Sequence, residues 1–224
     1  MYPHRDAAEA GTAVATIARI VGGEEIRRTL DLACGAGRHA RHMAARWFTV
    51  GLDLSQILLR LARREGSPAA FVRGDMRLLP FREDAFDLVA NFFTSFGYFN
   101  DDAEHRLVVR EVARVTRRGG FFVLDYLNAE RLRRTLVPYD ERRVGDSIVE
   151  QRREISADGR SVIKTITVRG DGRRFVERVR LFTPAELIAL VAAEGFETQS
   201  MLGDYAGAEL SPDSPRAVVV ARRR

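Results

Sequence analysis

Short apolar runs and longer helical patterns alternate along the first half of the chain. The runs at 27–32, 48–52, 71–73, 86–92 and 121–124 are typical of buried strands. Helical patterns lie between most of them. Because parallel neighbours need a crossover between strands, this alternation predicts a doubly wound, mostly parallel α/β sheet.

Capping residues and glycines mark the ends of the predicted helices. Ser55 is placed to cap a helix with one apolar face. Asp101 and Asp102 favour the start of a later helix, which Gly119 and Gly120 are predicted to end. These signals fix the helical crossovers between the strands.

The segment 131–181 follows a different pattern. Three β-like runs are separated by Asp-Gly dipeptides, which are strong hairpin signals. The runs are 147–155, 161–169 and 173–181, with Asp158-Gly159 and Asp171-Gly172 between them. We therefore expect an antiparallel three-stranded β meander, inserted as a lid or subunit contact into one domain that covers 1–224.

The alternation of helix and strand returns after this meander. Thr183 and Glu186 form a capping box with Pro184 at the first helical position. Two more strands are predicted at 196–202 and 217–221. They bring the predicted sheet to seven strands.

Composition places the chain among globular proteins, with 46% hydrophobic and 30% charged residues. No run of 18 apolar residues occurs, so we expect no membrane span and a cytoplasmic location. Cys34 is the single cysteine, which excludes an intrachain disulfide. The four histidines lack ligand spacing, so no metal site is predicted.

The net charge of +5 is concentrated in one part of the sequence. Residues 131–180 hold 14 basic and 8 acidic side chains, and the rest of the chain is close to neutral. Arg174, Arg178 and Arg180 share one face of the last predicted meander strand. This face is either solvated or recognises a carboxylate, a phosphate or an RNA backbone.

The segment from Asp31 to Gly37 joins the first strand to the first crossover helix. Its glycines allow a sharp turn and a close approach of the backbone to a ligand. Asp53 ends the second strand, 18 residues beyond Gly35, where a carboxylate can accept hydrogen bonds from ribose hydroxyls. Together these positions indicate a ligand that contains adenosine.

Two further carboxylates distinguish among adenosine ligands. Asp31 lies just before the glycine loop, where it would repel a phosphate but suit an ammonium group. Asp75 ends the third strand and is followed by Met76, a pair suited to an adenine ring. The predicted ligand is therefore zwitterionic and carries no phosphate.

Six segments in order resemble the class I S-adenosylmethionine-dependent methyltransferases that act on small molecules. They are LDLACGAGRHA (30–40), VGLDLS (50–55), VRGDMRLLPF (72–81), FDLVANFFTSFGYF (86–99), EVARVTRRGGFFVLDYLN (111–128) and LFTPAELIALVAAEGF (181–196). The resemblance implies a seventh strand, at 217–221, that runs antiparallel to the other six. It also implies S-adenosylmethionine as the cofactor and S-adenosylhomocysteine as the product.

The resemblance further implies which residues bind the cofactor. They are Asp31, Ala33, Gly35, Gly37, Asp53, Leu54, Asp75, Met76 and Asn91. Asp31 would contact the ammonium, Gly35 and Gly37 would flank the methionine part, and Asp53 would bind the ribose. Leu54, Asp75 and Met76 would hold the adenine, while the backbone of Asn91 would reach the methionine end.

The acceptor is less constrained by the sequence. Residues 91–94 read Asn-Phe-Phe-Thr, which lacks the tetrapeptide of nucleic-acid amino methyltransferases, so methyl transfer to nitrogen or oxygen of a small molecule is favoured. Tyr98, Tyr126 and His4 are the candidate catalytic residues. The candidates for acceptor binding are Phe96, Phe99, Asn128, Arg178 and Arg216, the last as an anion clamp.

Three alternatives stay open. The basic segment is compatible with an RNA or protein acceptor, although a small-molecule partner is favoured. The absence of an identifiable base is compatible with a regulatory module that binds S-adenosylmethionine without turnover. A nicotinamide-dependent reductase shares glycine loops and ribose acids, but Asp31 argues against it. The sequence is compatible with a monomer or a homodimer.

Overall fold

The computed structural model describes residues 7–22, 24–93, 95–170 and 172–224. The helices are α1 (Ala7–Ile20), α2 (Arg38–Ala44), α3 (Gln56–Arg64), α4 (Asp102–Val115), α5 (Ala129–Thr135) and α6 (Pro184–Ala193). The strands are β1 (Arg28–Leu32), β2 (Phe48–Asp53), β3 (Ala70–Arg73), β4 (Phe86–Asn91), β5 (Thr116–Leu127), β6 (Tyr139–Val144), β7 (Ser147–Ile155), β8 (Ser161–Val168), β9 (Arg174–Arg180), β10 (Phe196–Leu202) and β11 (Arg216–Arg223).

Seven strands form the main sheet, in the order β10-β11-β5-β4-β1-β2-β3. The pairs among β1 to β5 are parallel, and β11 is antiparallel to both of its neighbours, β5 and β10. The predicted doubly wound sheet and its reversed strand at 217–221 are confirmed. This topology brings the carboxyl ends of β1, β2, β4 and β5 to one edge of the sheet.

Helices cover both faces of the main sheet, so the central strand β4 is buried throughout and β1 is buried after its first residue. Phe122 and Leu124 of β5 pack into a core with α4 and α6. Phe121 and Val123 of the same strand pack into a second core with α1. Helix α1, which the sequence analysis did not predict, thus closes one face. None of the helices in the described part of the chain is long and apolar enough to cross a bilayer.

The insertion is a four-stranded antiparallel sheet, β6-β7-β8-β9, and not the predicted three-stranded meander. The missed strand is β6, whose sequence YDERRV lacks apolar alternation because it lies mostly exposed at the sheet edge. A two-residue turn at Gly145 and Asp146 joins it to β7 in register. The insertion therefore begins after α5.

Strand β5 is also longer than predicted, because it begins at Thr116 and contains both Gly119 and Gly120. These glycines do not end helix α4. They mark an irregularity in the pairing of β4 with β5, where a Cβ at Gly120 would lie 2.8 Å from the carbonyl oxygen of Asp87.

The four-stranded sheet lies against the loop that follows β4. The amide of Arg180 donates a hydrogen bond to the carbonyl oxygen of Gly97 (2.8 Å). Val162 and Val179 pack into the same core as β5. One face of this sheet therefore approaches the edge at which the parallel strands end.

Candidate functional site

The loop between β1 and α2 contains three residues with a left-handed backbone, Ala33, Gly35 and Gly37. The two glycines serve different needs. A Cβ at Gly37 would lie 2.9 Å from the ring of Phe71, whereas a Cβ at Gly35 would meet no atom of the described residues within 4 Å. Gly37 thus permits close packing, and Gly35 leaves backbone exposed to a cleft.

Asp53 links this loop to the next one. Its carboxylate accepts hydrogen bonds from the amides of Gly35 (2.8 Å) and Ser55 (2.8 Å). Beside it, Leu54 is 64% exposed, which is unusual for a large apolar side chain next to a strand end. The loops after β1 and β2 therefore form one wall with a carboxylate and an open apolar surface.

Asp31 is buried at the base of this wall, and its Oδ2 has no hydrogen-bond partner among the described residues. Burial raises the pKa of its carboxyl to about 8, helped by the negative charge of Asp53. Asn91 at the end of β4 donates to the carbonyl oxygen of Leu32 (2.7 Å), while its own buried Oδ1 is likewise without a partner in the described chain. Two buried oxygen acceptors thus suit a ligand that carries hydrogen-bond donors.

The loop after β3 holds the third predicted carboxylate. Arg77, which the sequence analysis did not consider, pairs with Asp75 at 2.6 Å and also binds Glu104. This guanidinium lowers the pKa of Asp75 and keeps it ionised. Met76 is half-buried and packs against the core. The adenine contacts of both residues remain predictions.

These features fit S-adenosylmethionine. The partnerless Oδ2 of Asp31 matches an ammonium group, and the open face of Gly35 admits the ligand close to the backbone. Asp53 retains lone pairs for ribose hydroxyls after binding its two amides. When bound, the cofactor would supply a methyl group activated by its sulfonium.

A separate cavity of about 280 Å³ lies at the carboxyl edge of the main sheet. Phe93, Tyr98 and Leu127 line it from the sheet edge, and Leu132 and Leu136 line it from α5. Strands β7, β8 and β9 supply the opposite wall. The cavity is near the small end of ligand pockets, which span about 300–1,000 Å³.

The predicted aromatic residues have separate surroundings. Tyr98 is 49% exposed and lines the cavity. Phe96 is buried and packs against His105 and Phe182, so it belongs to the core. Phe99 is half-buried beneath the guanidinium of Arg77. Among the aromatic candidates, Tyr98 is the one that lines the cavity.

Tyr126, predicted to be catalytic, is fully buried. Its hydroxyl donates to the carbonyl oxygen of Arg180, and burial raises its pKa. A Cβ at Gly97 would collide with this hydroxyl, so Tyr126 supports the turn beside Tyr98. This burial and the internal hydrogen bond argue against the predicted catalytic role.

Asn128, predicted to orient the acceptor, has a structural role. Its Oδ1 caps α5 by accepting from Glu130 (3.1 Å), and its amide donates to the carbonyl oxygens of Ser211 (3.0 Å) and Ser214 (2.9 Å). Both polar groups of its side chain are thus engaged within the protein. The side chain holds the late loop against the start of α5.

The predicted anion clamp, Arg216, is neutralised by Asp125 on β5. Asp125 is fully buried and also accepts from the hydroxyl of Tyr205 and the amide of Phe93 (2.7 Å). Arg216 was predicted to bind an anionic group of the acceptor. That prediction is wrong, because its guanidinium pairs with the carboxylate of Asp125 inside the protein. Sequence reasoning missed Asp125, although an acid within an apolar strand was a visible signal.

The arginines of β9, predicted to form one basic face, have different surroundings in the structure. Arg178 is exposed and donates to the hydroxyl of Ser161 (3.2 Å) in a polar cleft outside the cavity. Arg180 is buried and paired with Asp102 (3.2 Å) and Glu186 (2.8 Å). The basic excess of this strand is therefore partly neutralised by the main domain.

His4, the remaining catalytic candidate, lies outside the described residues. The cavity also contains charged side chains that the sequence analysis did not select, Arg153, Lys164 and Glu177. They come from three strands of the insertion and carry no local motif. Their convergence is a result of tertiary structure.

Residues 29–120 match the family described as "Methyltransferase domain". The chain is 30% identical over 199 residues to dTDP-3-amino-3,4,6-trideoxy-alpha-D-glucopyranose N,N-dimethyltransferase of Streptomyces venezuelae, which covers 82% of this chain and 81% of that protein. An amino pentose methyltransferase of Micromonospora echinaspora, solved with S-adenosylmethionine bound, has a TM-score of 0.71 and 26% identity, with 99% of this chain and 93% of that one covered. An S-adenosylmethionine-dependent methyltransferase of Clostridium acetobutylicum shares the fold, with a TM-score of 0.83 at 18% identity and coverage of 98% and 93%.

Proposed function

The chain belongs to the S-adenosylmethionine-dependent methyltransferases, and from this premise we propose that it methylates an amine nitrogen on a small hydroxylated molecule of the amino-sugar type. The observation that carries the proposal is the similarity, over four-fifths of both chains, to an N,N-dimethyltransferase of an amino sugar. The cavity beside the carboxyl ends of β4 and β5 supports it, because its volume suits a small molecule.

An amine acceptor sets specific demands on the protein. Its nitrogen must be neutral when it attacks, because a protonated nitrogen has no lone pair to donate. The hydroxyl of Tyr98 and the carboxylate of Glu177 both lie at the cavity and are partly exposed. We assign the hydroxyl of Tyr98 to accepting a hydrogen bond from the acceptor nitrogen, which loses its proton to solvent, and Glu177 to the hydroxylated part of the acceptor.

The rest of the catalytic contribution is placement. Phe93, Leu127 and Leu132 give the cavity apolar walls that exclude water. Methyl transfer is an in-line displacement, so alignment of donor and acceptor accounts for much of the expected rate enhancement.

The test is an acceptor screen with S-adenosylmethionine and mass-spectrometric detection of the methylated product. The panel would hold nucleotide-linked and free amino sugars, simple alkyl amines, a fatty acid, a phenol and a short RNA. We expect saturable methylation of an amino sugar and none with Asp53→Ala, which loses the carboxylate that binds the glycine loop. Turnover of the fatty acid, phenol or RNA alone would overturn the proposed acceptor.

A further inference from the structure

A row of four charged side chains crosses the insertion on the face that lines the cavity. Arg153 of β7 lies directly across from Lys164 of β8, which lies across from Glu177 of β9. Asp140 of β6 ends the row by pairing with Arg153 at 2.6 Å, and Lys164 lies 3.5 Å from Glu177. The order of charges is therefore negative, positive, positive, negative.

The middle of this row is unusual for a cavity wall. The next residues on the same face, Val162 and Val179, are apolar and paired across the strands. The side chain of Lys164 is only 11% exposed, so its charge is largely removed from water. Because a buried ion pair is often no more stabilising than apolar residues of similar volume, fold stability alone does not account for this pair.

The identity of the residue is informative as well. Lys164 is the only lysine in a chain with 36 basic residues. A guanidinium would be longer and planar, whereas an ammonium is compact and has three rotatable donors. A chain that otherwise uses arginine has a compact donor at this one cavity-lining position.

The charge balance indicates what such a wall can bind. Two positive and two negative side chains give the row no net charge, so it does not select an anion or a cation by its overall field. An ammonium beside a carboxylate offers adjacent donors and acceptors, which match the oxygen and the O–H of neutral hydroxyl groups.

We propose that Lys164 and Glu177 bind two neighbouring hydroxyl groups of the methyl acceptor and thereby select hydroxylated amines. The Lys164 ammonium donates to one hydroxyl oxygen, and the Glu177 carboxylate accepts from the other hydroxyl. This inference rests on the proposed function for its acceptor class. The two residues determine specificity and position the nitrogen towards the cofactor side of the cavity.

The single lysine allows a direct test. Protein made with lysine labelled with ¹³C at Cε gives one side-chain resonance, that of Lys164. The holoprotein with S-adenosylhomocysteine would be titrated with a methyl 3-amino-3-deoxyglucopyranoside, with cyclohexylamine and with inorganic phosphate. We expect a saturable shift from the amino glycoside, and binding at least tenfold weaker for the other two. Equal binding of cyclohexylamine, tighter binding of phosphate, or no shift with the glycoside would overturn the proposal.

Variants separate recognition from folding. Lys164→Met and Glu177→Gln should each weaken glycoside binding about tenfold, while the affinity for S-adenosylhomocysteine stays unchanged. The matched control is Glu150→Gln, which breaks an ion pair with Arg169 on the same sheet but does not line the cavity. Loss of glycoside binding in this control to the same degree would contradict the assignment. Glycoside binding without methylation by any variant or by the wild type would reject the proposed function and retain this inference.

Discussion

The cofactor side and the acceptor side of the cleft are built in different ways. Asp31 and Asp53 lie at the carboxyl ends of β1 and β2, and Gly35 lies on the loop that follows β1. The acceptor cavity instead combines Phe93 and Tyr98 with residues of α5 and of three strands in the insertion. Local turns dictate the first site, whereas long-range packing creates the second.

This difference indicates which changes each side tolerates. The cofactor side depends on backbone conformation and on carboxylates that bind backbone amides. The acceptor side depends on side chains carried by a second sheet, which are replaceable without altering the turns. We therefore expect the cofactor contacts to resist substitution and the acceptor contacts to determine which molecule is methylated.

The largest expected effect comes from Asp125, which neutralises Arg216 and holds the backbone of Phe93 at the acceptor cavity. Asp125→Asn removes the charge that neutralises the buried Arg216, and a broken buried pair costs about 3–5 kcal/mol. The melting temperature should fall by about 10 °C, measured by calorimetry. The control variant Asp213→Asn removes an exposed partner of Arg134. It should change the melting temperature by less than about 2 °C. Similar shifts in both variants would contradict the structural role of Asp125.

A pair of glycine substitutions separates packing from ligand access. Gly37→Ala places a methyl group 2.9 Å from Phe71 on a left-handed backbone, at a cost of about 2–4 kcal/mol in unfolding free energy. Gly35→Ala meets no neighbour in the described part of the chain and should cost only about 1–2 kcal/mol. The second variant should nevertheless lose most of its affinity for S-adenosylhomocysteine. Denaturant unfolding would measure the stability of both variants, and calorimetry would measure their affinity for S-adenosylhomocysteine. Equal unfolding free energies for the two variants would contradict the different roles of Gly35 and Gly37.

The cofactor side should also respond to pH. Burial raises the pKa of Asp31 from its ordinary value of 3.8 to about 8, so the free carboxyl is protonated at neutral pH. An ammonium ligand requires the ionised form, so binding releases a proton. Affinity for S-adenosylhomocysteine should rise by up to about tenfold per pH unit between 5.5 and 7.5, as calorimetry would measure.

Two controls accompany this pH dependence. Asp31→Asn, which does not titrate, should bind weakly with no such slope. For the free protein the sign is opposite: a raised pKa makes the folded state lose stability as the pH rises from about 4 to 8. A flat affinity profile in the wild-type protein would contradict the ammonium contact.

The smallest expected effect is on the acceptor side. Tyr98→Phe removes one hydroxyl from a partly exposed position, at about 1 kcal/mol for a hydrogen bond. The acceptor KM should rise by about fivefold, with the affinity for S-adenosylhomocysteine unchanged. Initial-rate kinetics on the acceptor found in the screen would measure this. A loss of cofactor affinity would show that the two sides are not separable in this way.

Most of the main sheet was predictable because its strands follow local rules. Apolar runs such as 86–92, and turns such as 33–37, carry their structure in adjacent residues. Strand β6 was missed because an exposed edge strand has no apolar periodicity to detect. Gly119 and Gly120 were misinterpreted because glycines at a strand irregularity resemble those that end a helix.

The residues of the candidate site also differ in whether local sequence patterns could predict them. Asp31, Gly35 and Asp53 could be selected from spacing, although their contacts with the cofactor remain predictions. Tyr126 was selected at a strand end and Arg216 on a late loop, but the fold engages both side chains internally. Lys164 and Glu177 could not be selected, since only the pairing of β8 with β9 places them together at the cavity.

The position of β11 has a consequence for synthesis on the ribosome. Within the main sheet, β10 pairs only with β11, which is made later and lies between β10 and β5. During translation, β10 therefore waits for the next strand, while the free edge of β5 is exposed to other chains. A chain that ends between residues 203 and 215 would lack β11 and leave the main sheet open at β5, a form that we expect chaperones to bind.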